Sequence, residues 1–292
     1  MLNGSKKNDY MNDAEIRSFA EKISVVALAA GKYAREAQAG VRNDEKDHPL
    51  ITDADPEFIQ KRARANTVTD EHVQDMLLTA VQSMGISVRI DAEEDTPLKH
   101  TIHTEDAPVT LVLDPIDGTL EYFEGSSDWF VNVALVSRGK VLFALMYSPI
   151  PETMYLLDVD GKSYTCTCEN GAIVRREPFV SPSAAESKKL YVNNRVPEEA
   201  IEKLSHSYEV VRDIHGVVKW PDALLGCISG AYRAALFVRP QIRDVFLGAM
   251  IETIPGGYAM DFKGNKIIWP DGGRIPEVVF GFGTLPEEVI GT

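Results

Sequence analysis

The chain has 292 residues, 44% of them hydrophobic and 25% charged, with a formal net charge of −14 from 30 basic and 44 acidic side chains. This describes one large globular domain or two of ordinary size, with a core large enough to need no disulfide. The acidic balance excludes the basic surface that a nucleic-acid backbone or an anionic membrane requires, but it leaves room for a small phosphate ester if divalent cations supply positive charge locally.

Cys166, Cys168 and Cys227 make no CxxC pair and no disulfide framework, and read as reduced packing residues. No apolar run approaches the ~18 residues of a membrane span. The first residues lack an apolar signal core, so a cytoplasmic location is expected.

In chain order, Asn12 or Asp13 caps a helix whose apolar stripe is Ile16, Phe19, Ala20, Ile23, Ala27, Ala30 and Ala34. Residues 38–66 are polar, broken by Pro49 and Pro56, and show no clear element. A second helix is expected after Asp70, with Val73, Met76, Leu77, Ala80, Val81 and Met84 on one face and Gly85 at its end. Residues 86–90 read as a short strand stopped by the acidic run Asp91 to Asp95. Residues 109–113 read as a buried strand. Residues 129–136 and 141–147 form one expected hairpin, and 154–157 with 164–168 another, giving an antiparallel meander.

After about residue 185 the pattern becomes α/β, with strands near 190–192, 209–211 and 232–238, and a nearly all-apolar helix over 244–254 begun by Asp244. A boundary is expected near residue 184, between an N-terminal α+β domain (1–184) that carries the main site and a smaller C-terminal α/β domain (185–292) that contributes Asp244.

The strongest chemical signal is Asp114-Pro-Ile-Asp117-Gly118-Thr119, directly after an apolar strand. Two carboxylates there repel and desolvate each other, and a hard divalent cation between them removes that cost. Pro115 stiffens the expected loop, and Gly118 allows torsions or approaches that a side chain would block. Residues 119–123 open a short helix. Glu93 and Glu94 follow their own short strand, so if it neighbours 109–113, these carboxylates gather at one sheet edge. A buried Asp244 needs a cation or several hydrogen bonds, and Arg243 is one candidate partner. Asp70 can cap its helix or orient a hydroxyl or water as a base. His100 and His103 form an HxxH pair with no third ligand in view.

Together these pieces resemble the inositol monophosphatase superfamily over roughly residues 65–265. Residues 113–119 fit its Asp-Pro-Ile/Leu/Val-Asp-Gly-Thr signature, Glu93-Glu94 its acidic pair, and Thr69-Asp70 its threonine–aspartate element. Thr52 to Asp55 is a rival for that last element, set too early. Asp244 with Gly256-Gly257 fits the second signature, although Arg243 stands where Trp is usual and Ile254-Pro255 where Glu-Ala is usual.

The resemblance implies a layered α-β-α-β-α sandwich, usually a homodimer, and a lithium-sensitive, Mg²⁺-dependent hydrolase of a small phosphomonoester. It implies two or three Mg²⁺ ions held by Glu93, Asp114, the Ile116 carbonyl, Asp117 and Asp244. Asp70, Thr119 and Glu93 would act on water, and Gly118, Thr119, Glu121 and, on a weaker alignment of 226–231, Ser229 would contact substrate. Glu121-Tyr122 is similar to the branch acting on adenosine 3′,5′-bisphosphate. Inositol monophosphate and fructose bisphosphate stay open as substrates, as does a non-catalytic sensor of sugar phosphates or nucleotides. A haloacid-dehalogenase phosphatase is disfavoured, because Asp114 and Asp117 are three residues apart rather than two.

Overall fold

In the computed structural model the described residues are 11–42, 67–181, 187–212 and 220–289. The expected boundary near 184, the rival Thr52 to Asp55 and residues 43–66 lie outside them.

Helix α1 (Asp13–Ala37) begins with a capping box: the Asn12 side chain accepts the Ala14 and Glu15 N–H groups, and Glu15 reaches back to the Asn12 N–H. Helix α2 spans Val68–Ser83, so Asp70 lies in its first turn rather than before it. Seven strands then form one sheet in chain order: β1 (Arg89–Ala92), β2 (Thr110–Asp117), β3 (Phe130–Ser137), β4 (Lys140–Ser148), β5 (Thr153–Leu157), β6 (Ser163–Glu169) and β7 (Ala172–Pro178). Only the β1–β2 pair is parallel. Short helices α3 (Pro97–Ile102) and α4 (Thr119–Phe123) flank β2.

The second sheet has the order β11-β12-β10-β8-β9. Its strands are β8 (Lys189–Val192), β9 (Glu209–Arg212), β10 (Ala234–Val238), β11 (Gly257–Met260) and β12 (Glu277–Phe282). Between them in sequence run α5 (Glu198–Ser205), α6 (Trp220–Ser229), α7 (Ile242–Val245) and α8 (Leu247–Glu252).

Three apolar clusters stack these parts into five layers. Phe19, Ile23 and Leu28 of α1 and Leu77 of α2 pack on Leu111, Leu113 and Phe143 of the first sheet. The other face of that sheet, with Val112 and Ala134, meets α6–α8 and then Phe237 and Phe280 of the second sheet. Leu190, Leu236 and Val279 on the far side pack against Ile201 and Leu204 of α5. Burying each such Leu, Val or Phe is worth about 1.5–3 kcal/mol, so the scaffold can bear a costly polar site. The expected α-β-α-β-α sandwich, with an antiparallel first sheet and a mixed second one, is the observed fold.

Four local expectations are corrected. β1 includes Asp91 and Ala92 instead of ending before them. β2 runs through the Asp-Pro-Ile-Asp segment, which was expected to be a loop. The 244–254 helix is two short helices meeting at Phe246, and Asp244 sits inside α7 behind its N-cap Gln241. Residues 226–229, expected to belong to a substrate loop, are the end of α6, where Ser229 Oγ donates to its own helix at the Gly226 carbonyl. Strands β7, β11 and β12 carried no clear sequence signal.

Candidate active site

The site forms at the C-terminal ends of the parallel pair β1 and β2, where α7 packs against β2 and β3. Side chains alternate along a strand. Leu111 and Leu113 therefore face α1 and α2, while Val112 and Asp114 face the layer between the sheets. Strict alternation would turn Asp117 away from Asp114. The ladder shifts between them: Asp114 is opposite Asn132 of β3, and Asp117 is opposite Phe130, only two residues further. This extra residue in β2 is a bulge, and it returns Asp117 to the face of Asp114. Asn132 Nδ2 donates to Asp117 Oδ2 at 2.9 Å. By the same alternation Asp91, paired with Val112, shares this face, and Glu93, just past the strand end, comes to it beside Arg243.

After the bulge the chain turns at Gly118 (φ +97°), where a Cβ would stand 2.9 Å from the Asp128 carbonyl oxygen. That turn aims Thr119 back under the strand end. Its hydroxyl lies 3.0 Å from Asp70 Oδ1 and 2.9 Å from the Ile116 carbonyl oxygen, each able to accept its proton. Asp70 Oδ2 accepts the Thr67 N–H at 3.0 Å and also the Thr67 hydroxyl. Asp70 is thus at once a helix cap and the orienter of Thr119.

Gln74 of α2 grips the acidic loop from behind. Its Nε2 donates to the Glu94 carbonyl at 2.8 Å, and its Oε1 accepts the Glu94 N–H at 2.9 Å. Further along the chain, Gly257 follows α8, where a Cβ would fall 1.9 Å from the Ile251 carbonyl oxygen, so only glycine lets β11 leave α8 this closely.

The electrostatics are those of crowded acids. Burial, with repulsion from Glu93, Asp117 and Asp244, raises Asp114 well above the usual carboxylate range. Burial and Asp244 push Asp117 up to about 8. Burial raises Asp244 to about 6 against the pull of Arg243. Burial lifts Asp70 to about 7, partly opposed by its bond from Thr67. Asp114 Oδ1 is buried with no hydrogen-bond partner among the described residues. This fits a divalent cation, since hard carboxylate and carbonyl oxygens are the donors Mg²⁺ takes and an orphaned buried anion is otherwise costly. Among the described residues no three acidic, His or Cys side chains already stand in a closed metal-holding arrangement. A guanidinium lies among them: Arg243 is 3.5 Å from Asp91 and 3.8 Å from Glu93.

These shifts set a pH dependence. The folded pKa values of Asp70, Asp117 and Asp244, about 7, 8 and 6, lie above the unfolded carboxylate value of about 3.9. Between those limits the folded state binds more protons than the unfolded state, so stability falls as pH rises from about 4 to 8. Melting in EDTA is expected to give a higher Tm at pH 5.5 than at pH 8, and Mg²⁺ should flatten the trend. A Tm that rises with pH in EDTA would contradict this.

The expected residues are placed as follows. Glu93, Asp114, Asp117 and Asp244 are brought within mutual electrostatic reach, and Asp70, Thr119 and Ile116 are joined by hydrogen bonds. Glu121 lies beside Gly118 and repels Asp117. No contact joins Ser229 to this group among the described residues. The sequence reading missed Asp91, Gln74 and Asn132. Of these, Asp91 was within reach of the alternation argument, had β1 been carried two residues further.

The chain resembles known proteins throughout this region. It is 22% identical over 204 residues to 3′(2′),5′-bisphosphate nucleotidase CysQ of Salmonella typhimurium, covering 69% of this chain and 78% of that protein. It is 28% identical over 207 residues to inositol monophosphatase 1 of Bos taurus, covering 68% and 72%. The structure of the Thermotoga maritima IMPase superposes with a TM-score of 0.62 at 18% identity, covering 91% and 92%, which establishes the shared fold. The model of the inositol monophosphatase family matches residues 15–278, and the chain belongs to that family of phosphatases.

Proposed function

We propose that the chain is a Mg²⁺-dependent phosphomonoesterase that hydrolyses its substrate with an activated water. The observation that carries this reading is the Thr119 hydroxyl held by Asp70 beside a buried carboxylate array whose central member, Asp114, has an orphaned oxygen. Glu93, Asp114, the Ile116 carbonyl, Asp117 and Asp244 would hold the ions. When bound, Mg²⁺ supplies the positive charge that makes water acidic and offsets charge on the leaving oxygen.

The protein's own residues do the rest. Asp70 accepts the Thr119 hydroxyl hydrogen bond, so the Thr119 proton passes to Asp70 as the Thr119 oxygen takes one from the attacking water. Asn132 holds Asp117 in place, and Gln74 fixes the loop carrying Glu93. The N–H groups of Gly118 and Thr119 would steady the phosphate. Water then attacks phosphorus in line, the ester P–O bond breaks, and the leaving oxygen takes up a proton, so ester and water become alcohol and inorganic phosphate.

One observation favours a substrate with a second anionic group. Arg274, which acts on Asp244, and Arg195 each donate an Nη1–H to the Arg239 carbonyl, at 2.7 and 3.1 Å. The charges of Arg195, Arg239 and Arg243 depress the Arg274 pKa, after burial itself. Such a gathering of guanidiniums in an acidic protein suits a bisphosphate. The relatives, a bisphosphate nucleotidase and an inositol monophosphatase, bracket the same range. From the family resemblance, inhibition by Li⁺, a homodimer and a cytoplasmic setting are further expectations. Among the described residues no helix is long and apolar enough to cross a membrane.

The test is phosphate release from inositol 1-phosphate, adenosine 3′,5′-bisphosphate and fructose 1,6-bisphosphate, in Mg²⁺ and in EDTA. Mg²⁺-dependent release, faster from a bisphosphate, is expected. Equal release in EDTA would defeat the metal reading, and binding without release from any ester would favour a sensor on the same fold.

A further inference from the structure

We propose that Arg243 is a built-in counter-cation of the carboxylate cluster, and that its guanidinium takes the place of one divalent ion. The inference rests on the metal-holding role proposed above for these acids. Arg243 lies in the first turn of α7, next to Asp244, but its ion pairs reach across to the other side of the site. Nη1 is 3.5 Å from Asp91 Oδ1, and Nε is 3.8 Å from Glu93 Oε2. Its side chain is 14% exposed, so the charge sits inside the cluster rather than over it.

Asp91 is held in turn by the Gly273 N–H at 2.6 Å, and Arg89, two residues before it, pairs with Asp271 at 2.7 Å. The segment 271–273 thus ties Asp91 down from the second half of the chain, and Asp91 ties down Arg243. Glu93 is an expected metal ligand and Asp91 is not. The guanidinium therefore bridges a fixed structural acid to the acid at the edge of the metal cluster.

Charge argues the same way. Asp91, Glu93, Asp114 and Asp244 all act on Arg243, and Asp117 adds to the charge around Asp114. One guanidinium, which stays protonated at any working pH, offsets one of these five carboxylates and leaves the charge that two divalent ions neutralise. Remove the guanidinium and the acids around Glu93 face each other with an unbalanced charge, in a half-buried setting where screening by water is weak. Another divalent ion is the direct remedy. With the guanidinium 3.8 Å from Glu93 Oε2, the other Glu93 oxygen stays open to an ion shared with Asp114, while a further ion on the Oε2 side, needing oxygens at about 2.0–2.1 Å, would compete with the arginine.

The experiment counts Mn²⁺ bound per chain by electron paramagnetic resonance and calorimetry, with no substrate present. Wild type is compared with Arg243→Met, Arg243→Gln and Arg243→Lys. The Met and Gln variants are expected to bind one more Mn²⁺ than wild type, and Lys to bind the same number as wild type. An unchanged count in Met or Gln would show that the arginine swings aside on loading and would overturn the proposal, as would a gain in Lys. If Met and Gln fail to fold in EDTA, refolding in Mn²⁺ replaces the count: recovery supports the substitution of one cation by another, and failure overturns it. Wild type that binds no Mn²⁺ would instead sink the metal reading of the whole cluster, an outcome distinct from an unchanged count in the variants.

Discussion

Asp114→Asn is expected to cut turnover by about a thousandfold or more while leaving a folded protein that melts higher in EDTA than wild type. The two halves of this result have one cause. Asp114 is 3% exposed, one of its oxygens has no hydrogen-bond partner among the described residues, and Glu93, Asp117 and Asp244 all repel its charge. Without metal, that charge is a burden on the fold, and an amide of the same shape removes it at the smaller cost of a buried polar group, about 1–3 kcal/mol if unsatisfied. With metal, the same carboxylate is a central ligand. Positive charge held at the reacting oxygens is worth several kcal/mol of barrier, and each 1.36 kcal/mol is about tenfold in rate. Thermal melts should therefore show Mg²⁺ stabilising wild type much more than the variant. A variant that retained most of its turnover would remove Asp114 from the site.

How much of this was legible in the sequence follows from the distance over which each signal acts. Asp114, Asp117, Gly118 and Thr119 announce themselves locally, because an apolar strand running into paired acids has few inexpensive explanations. The parallel pairing of β1 with β2, posed as a condition by the sequence, is what brings Glu93 to the same edge. The bulge that returns Asp117 to the face of Asp114 is invisible in the sequence, since it depends on which β3 residues lie opposite. The partners of Arg243 stand about 150 positions away along the chain, and its neighbour Asp244 is the partner that local reasoning offers first. Gln74 looked like an ordinary polar position on α2, yet it is fully buried and grips the Glu94 backbone. The break at Phe246 left no mark because the residues on both sides of it, Val245 and Leu247, are apolar like Phe246 itself.

Asp70→Asn separates proton handling from metal holding. Thr67 donates to Asp70 Oδ2, and Thr119 donates to Oδ1. An asparagine keeps one acceptor oxygen, so it can cap α2 or hold Thr119, but it cannot draw on the hydroxyl proton as a carboxylate does. The capping loss costs about 1 kcal/mol of stability. Loss of a positioned base costs about a hundred- to ten-thousandfold in rate. Turnover should therefore collapse while Tm falls by only a few degrees and the Mn²⁺ count stays at the wild-type value. The pH profile supplies a readout that a purely structural role would not move. Without metal, burial places the Asp70 pKa at about 7; bound Mg²⁺ draws it lower, and only the ionised form accepts a proton, so wild-type kcat/KM should rise with pH on the acid side of neutrality. In Asp70→Asn that rising limb should disappear along with the activity. Thr119→Ser, which keeps the hydroxyl, should retain most of the rate, whereas Thr119→Val should resemble Asp70→Asn. If Asp70→Asn lost Mn²⁺ binding in step with turnover, Asp70 would belong to the metal cluster, and the attacking water would need a different base.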